Sequence, residues 1–124
     1  MVEQANILLH NDHHAPATGR RFVAIVASDM RPAEADRIRL ATSELVTNAV
    51  RTSADAIEVA LVMQPTSVRL EVRPAGDLGR RESSGTASDG FGVRIVEAVC
   101  DRWGVAEDGA AVWCEVGRVP GGAA

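Results

Sequence analysis

Two stretches of strict alternation, facing each other across a short turn, constrain this chain more than anything else in it. From 56 to 63 the apolar residues Ile57, Val59, Leu61 and Met63 recur at every second position. After Pro65-Thr66-Ser67, Val68, Leu70 and Val72 alternate with Arg69, Glu71 and Arg73. A period of two sends alternate side chains to opposite faces of a strand. The segment therefore reads as an antiparallel hairpin with one continuous apolar face. Such a face must be covered, and the flanking sequence offers helices to cover it.

Residues 17–29 carry Phe22, Val23, Ile25 and Val26 at helical spacing, and a helix is expected to end near Met30. Pro32 then suits the first turn of a second helix, where its missing N–H costs nothing. Glu34 and Asp36 complement the positive end of the dipole there. That helix should run to about Thr52 and bury Ile38, Ala41, Leu45 and Ala49. A third is expected over 92–103, with Val93, Val96, Val99, Cys100 and Trp103 inward and Arg94, Glu97 and Asp101 in water. Further strands are expected at 5–10, near 103–107 and at 111–117, the last two turning at Asp108-Gly109. Asn11 to Pro16 reads as a polar turn. Pro74 to Asp89, with three Gly and four Ser or Thr, reads as a long loop of the kind that often covers a site. Helices grouped against a mostly antiparallel sheet give an α+β fold, a two-layer α/β sandwich. At 124 residues, 1–124 is expected to be a single domain.

Composition narrows the function classes. Net charge is −4 and no Lys is present, so every basic side chain is Arg. A mildly acidic chain without a basic stripe is a poor binder of nucleic-acid phosphates. With two Phe, two Trp and no Tyr, the core must be mostly aliphatic. Cys100 and Cys114 are too few for a disulfide framework and read as small buried hydrophobes in a reducing cytosol. Neither a leader pattern nor an apolar run of the ~20 residues needed to span a bilayer is visible. The expectation is a cytoplasmic protein without membrane or nucleic-acid partners. His10, His13 and His14 lie on a turn without a carboxylate cage and read as solvated. Trp103 and Trp113 read as core or sheet-face packing, and Arg80-Arg81-Glu82 as a solvated part of the loop.

The chemistry-bearing feature is Ser43-Glu44-Leu45-Val46-Thr47-Asn48-Ala49-Val50-Arg51. Glu44 and Asn48 are four residues apart, a little over one helical turn, so acid and amide project from one face. Arg51 follows on the same stripe.

Three features sit in a fixed order: the helix with Glu44-x-x-x-Asn48, a hairpin leading into a polar loop, and Gly90-Phe91-Gly92-Val93 opening a helix. Together with the later run through Ile95-Val96-Glu97, Asp101-Arg102-Trp103-Gly104-Val105 and Val112-Trp113-Cys114-Glu115-Val116, they resemble the histidine-kinase-like (GHKL, Bergerat-fold) ATPase superfamily. Within it the chain is similar to the bacterial anti-sigma regulatory serine/threonine kinases, and the resemblance spans nearly the whole sequence. It implies a Bergerat fold that binds ATP and Mg²⁺. It also implies two protein partners, a sigma factor and an anti-anti-sigma (STAS-type) protein phosphorylated on serine, and a two-fold homodimer. In the family's pattern Asn48 holds Mg²⁺, which suits a hard ion that prefers oxygen. Glu44 is the general base. Gly90, Phe91, Gly92 and Val93 form the phosphate turn at a helix start, with Arg51, Gly76 and Asp77 as further nucleotide contacts.

The sequence also departs from that pattern. The family reads adenine with an Asp at the end of the second hairpin strand, and here Pro74 stands in its place, without a side-chain acceptor. Asp77-Leu78-Gly79 offers an acid three residues late. Thr52 replaces a usual His and Ala111 a usual Thr. Two readings therefore remain open: an ATP-dependent regulatory kinase, and a non-catalytic binding module of the same fold with weak or no ATP binding.

Overall fold

The computed structural model describes residues 3–51, 55–75, 91–106 and 111–119. In chain order the elements are β1 (Glu3–His10), α1 (Ala15–Val26), α2 (Pro32–Arg51), β2 (Ala56–Met63), β3 (Ser67–Ala75), α3 (Phe91–Val99), β4 (Arg102–Val105) and β5 (Val112–Gly117). The five strands form one sheet in the order β1-β2-β3-β5-β4, every pair antiparallel. The hairpin sits at its centre, with Val59 opposite Val72 and Leu61 opposite Leu70.

The alternation does what a period of two requires. Ile57, Val59, Leu61, Val68, Leu70, Val116 and Cys114 are fully buried on one face. The helices cover that face, α2 centrally and against α1 on one side and α3 on the other. Ile38, Ala41, Leu45, Val46 and Ala49 of α2 complete the core with Val23 of α1 and Val96 of α3. The result is the two-layer α+β sandwich expected from the pattern.

Local chemistry explains most of the helix ends. Asp12 Oδ1 accepts the His14 N–H at 2.8 Å, an Asx-type turn that leads into α1 with Pro16 in its first turn. At the start of α2 the Glu34 carboxylate reaches back to the Arg31 N–H at 3.3 Å, half of a capping box. The same carboxylate accepts the Val119 N–H at 3.1 Å. Inside α2, Thr42 is fully buried and its hydroxyl donates to the Ile38 carbonyl at 2.7 Å, so the polar atom is satisfied.

Several expectations are corrected. The first helix starts at Ala15, inside the segment read as a turn, and ends at Val26, leaving Ile25 69% exposed. β3 continues through Pro74 to Ala75 instead of giving way to a loop. The third helix stops at Val99, four residues early, so Trp103 belongs to β4. The cause is tertiary. The Asp101 N–H bonds to the Glu115 carbonyl at 2.8 Å and pulls the chain into the sheet. Arg37 Nε takes up the Val99 carbonyl at the helix end, at 2.8 Å. The loop read over 74–89 and the Asp108-Gly109 turn fall almost wholly outside the described residues.

The far face of the sheet carries Trp113. The Arg69 guanidinium lies over its ring at 4.2 Å from the centroid. Gly104 lies beneath the same ring, where a Cβ would come within 2.9 Å of the indole. Glu115 binds both Arg102 (2.6 Å) and Arg69 (3.3 Å), tying β3, β5 and β4 together across that face.

Candidate functional site

The last turns of α2 meet the ends of three strands. Asn11, just past β1, donates its side-chain N–H to the Val50 carbonyl at 3.4 Å and its backbone N–H to the Asp55 carbonyl at 3.3 Å. It thereby fixes the end of α2 against the end of β1 and the beginning of β2. Through the hairpin register, Ile57 lies opposite Pro74 and Ala56 opposite Ala75, so the end of β3 belongs to the same pole of the molecule.

Glu44 and Asn48 lie on α2 at this pole, one turn apart and both half-buried, while Arg51 in the last turn is exposed. The core stripe of α2 runs through Ile38, Ala41, Leu45 and Ala49, as the spacing implied. Acid and amide therefore flank the core rather than enter it. A half-buried carboxylate and carboxamide supply oxygen donors of the kind a hard divalent cation accepts, with room for it to keep several waters. Ser43, beside Glu44, accepts a hydrogen bond from Arg20 of α1 at 2.8 Å.

α3 packs along α2, and its C-terminal end is held by Arg37, near the beginning of α2. The two helices must therefore run in opposite directions, which brings the first turn of α3, with Phe91, Gly92 and Val93, toward the Asn48 end. Free N–H groups at such a helix start suit an anion. Gly76, Asp77 and Gly90, with Thr52 and Arg80-Arg81-Glu82, lie outside the described residues.

Pro74 shares the helix-facing side of β3 with Val72 and is half-buried. Its strand continues beyond the last β5 pair, Val72 opposite Val112, so the proline does not interrupt the central ladder. Ala111, another of the departures, is fully buried. Asn11 was not singled out in the sequence. Its only signal was a turn-forming side chain after a strand, and its contact with Val50 spans 39 residues.

The remaining candidates resolve simply. The His13 and His14 rings lie with centroids 3.9 Å apart, tilted by 38°, and no cluster of three or more metal-ligating side chains occurs among the described residues. No helix among them is long and apolar enough to cross a membrane.

No family model matches the sequence, and no curated protein matches it. Among solved structures, the chain is similar to the RsbU and RsbW domains of Rv1364c from Mycobacterium tuberculosis, with a TM-score of 0.67 and 19% sequence identity. The match covers 95% of this chain and 32% of that one, so the chain spans about a third of its neighbour's length. At that identity the likeness is one of architecture. With the five-stranded antiparallel sheet and the helices packed on it, it shows that this chain shares the α+β fold of a domain of that structure.

Proposed function

We propose that this protein is an ATP-dependent regulator of the anti-sigma serine-kinase type. It would control a sigma factor by binding it, and would transfer phosphate to a serine of an anti-anti-sigma-type partner. The observation that carries this reading is the pairing of Glu44 and Asn48, half-buried and one turn apart, at the pole where the ends of α2, β1, β2 and β3 converge. The RsbW-type fold supports it.

In this reading Asn48 would hold Mg²⁺ through its side-chain oxygen, and the metal would supply positive charge against the nucleotide phosphates. The Glu44 carboxylate accepts the proton of the partner's serine hydroxyl as its oxygen bonds to the γ-phosphorus and the bond to ADP breaks. Arg51 and the N–H groups opening α3 offer positive ends to the phosphates.

A second reading is favoured by Pro74. Held in register opposite Ile57, it occupies the helix-facing side of β3, where the family pattern asks for an adenine-binding acid. The absent charged hydrogen bond weakens nucleotide binding by about 1.5–3 kcal/mol, or roughly 10- to 150-fold. A module of this fold that binds its partner with little or no help from nucleotide would then result.

Phosphoryl transfer separates the two. With radiolabelled ATP and an anti-anti-sigma-type substrate, the kinase reading expects serine phosphorylation, reduced by about 10²-fold or more in Glu44→Gln. A Glu44→Gln protein that transfers phosphate at the wild-type rate removes Glu44 as the base. Complete inactivity of the wild type leaves the binding-module reading.

A further inference from the structure

The chain's two cysteines are brought together by the fold although 14 positions separate them in sequence. Cys100 closes α3, its N–H bonding to the Val96 carbonyl at 2.9 Å, and Cys114 sits in the middle of β5. The next residue, Asp101, donates its N–H to the carbonyl of Glu115, the residue after Cys114. Cys114 belongs to the buried core cluster and Cys100 packs against that same cluster. Their exposures differ: Cys100 is half-buried and Cys114 fully buried.

We propose that Cys100 and Cys114 form a peroxide-reactive dithiol that closes a reversible disulfide between the end of α3 and strand β5. This inference rests on those two elements alone and stands apart from the nucleotide reading.

The surroundings divide the labour between the sulfurs. Arg37 wraps the Cys100 position, donating from Nε to the Val99 carbonyl at 2.8 Å and from its terminal nitrogen to Asp101 Oδ1 at 3.0 Å. Asp101, the carboxylate nearest Cys100 in sequence, is itself engaged by the Gly117 N–H at 2.7 Å and by Arg37. The Cys114 thiol and the Arg37 charge favour the thiolate at Cys100 and lower its pKa against the opposing effects of burial and Asp101. Hydrogen bonding to Cys100 and burial push Cys114 well above its ordinary value. Peroxide reaches the half-buried Cys100 and not the fully buried Cys114, so Cys100 is the thiol placed to attack and Cys114 the one placed to resolve.

The oxidant is hydrogen peroxide or an alkyl hydroperoxide. With hydrogen peroxide, the Cys100 thiolate attacks one oxygen, the O–O bond breaks, and sulfenic acid forms as the departing hydroxide takes a proton to become water. The Cys114 sulfur then attacks the Cys100 sulfur. The S–S bond forms, the S–O bond breaks, and the hydroxide leaves as a second water with the Cys114 proton. Two thiols give up two electrons and two protons, and one peroxide becomes two waters.

Intact-mass spectrometry of the folded protein after exposure to a few equivalents of hydrogen peroxide tests this. A loss of 2 mass units is expected, with loss of both alkylatable thiols in denaturant, a Cys100–Cys114 cross-linked peptide, and full reversal by dithiothreitol. In Cys114→Ala, Cys100 should stop at a sulfenic acid trapped by dimedone. In Cys100→Ser, Cys114 should stay unmodified. Two free thiols surviving peroxide, a gain of 32 or 48 mass units on Cys100 with Cys114 free, or disulfides only between molecules would overturn the proposal. Should either variant fail to fold, the wild-type mass and peptide map decide alone.

Discussion

At position 74 one ring stands where a carboxylate would complete the proposed nucleotide site, and the hairpin register makes the exchange testable. Pro74 faces the helices beside Val72, opposite Ile57. Pro74→Asp is expected to raise ATP affinity roughly 10- to 150-fold by supplying the missing charged acceptor. Unchanged affinity in a titration would show that position 74 does not lie against adenine. Gly104 makes a purely structural case. A Cβ there would sit 2.9 Å from the Trp113 ring, which is pinned beneath the Arg69 guanidinium. Gly104→Ala should destabilise the fold by about 1–3 kcal/mol, measured by urea unfolding. The placement of Glu44 and Asn48 on one flank of a helix was legible because helical spacing alone determines it. The Arg69–Trp113–Gly104 stack was not, because those residues meet only once β3, β5 and β4 are in register.

Among the elements, α3 depends most on long-range contacts. Its apolar stripe announced a helix, and Val96 is fully buried as the stripe required. Its end is not visible in the sequence because the helical pattern runs on through Trp103, while the Glu115 carbonyl and Arg37 draw the chain into β4 at Asp101. Arg37→Leu removes the guanidinium from the Val99 carbonyl and from Asp101. About 1–2 kcal/mol of stability should be lost. Hydrogen exchange should quicken selectively in α3 and β4, and uniform quickening across the sheet would contradict this assignment. α2 was legible almost to the residue, since Pro32 and Glu34 mark its start and an uninterrupted core stripe fills its length.

For the molecule as a whole, two carboxylates couple the fold to acid. Glu115 is held below its ordinary value of 4.5 chiefly by Arg102, with Arg69 assisting. Asp101 is held below 3.8 first by the Gly117 N–H and then by Arg37. A carboxyl group whose folded pKa is depressed contributes stability that is complete above its unfolded value and is lost as pH falls through the folded one. Stability should therefore hold to about pH 5 and decline below about pH 4. Glu115→Gln should lower stability at neutral pH by about 1 kcal/mol and flatten that decline, as read from thermal midpoints at several pH values. An equally steep acid decline in the variant would remove Glu115 from the account. Layer order and fold class were readable because alternation and helical stripes are local signals. The pole where α2 meets the strand ends was not, since it is assembled by Asn11 and the hairpin register over long sequence distances. That pole carries the central claim, and calorimetric titration of the protein with ATP in the presence and absence of Mg²⁺ tests it most directly. The account predicts saturable, Mg²⁺-dependent binding below millimolar nucleotide that Asn48→Ala abolishes; no heat at millimolar Mg-ATP would contradict it.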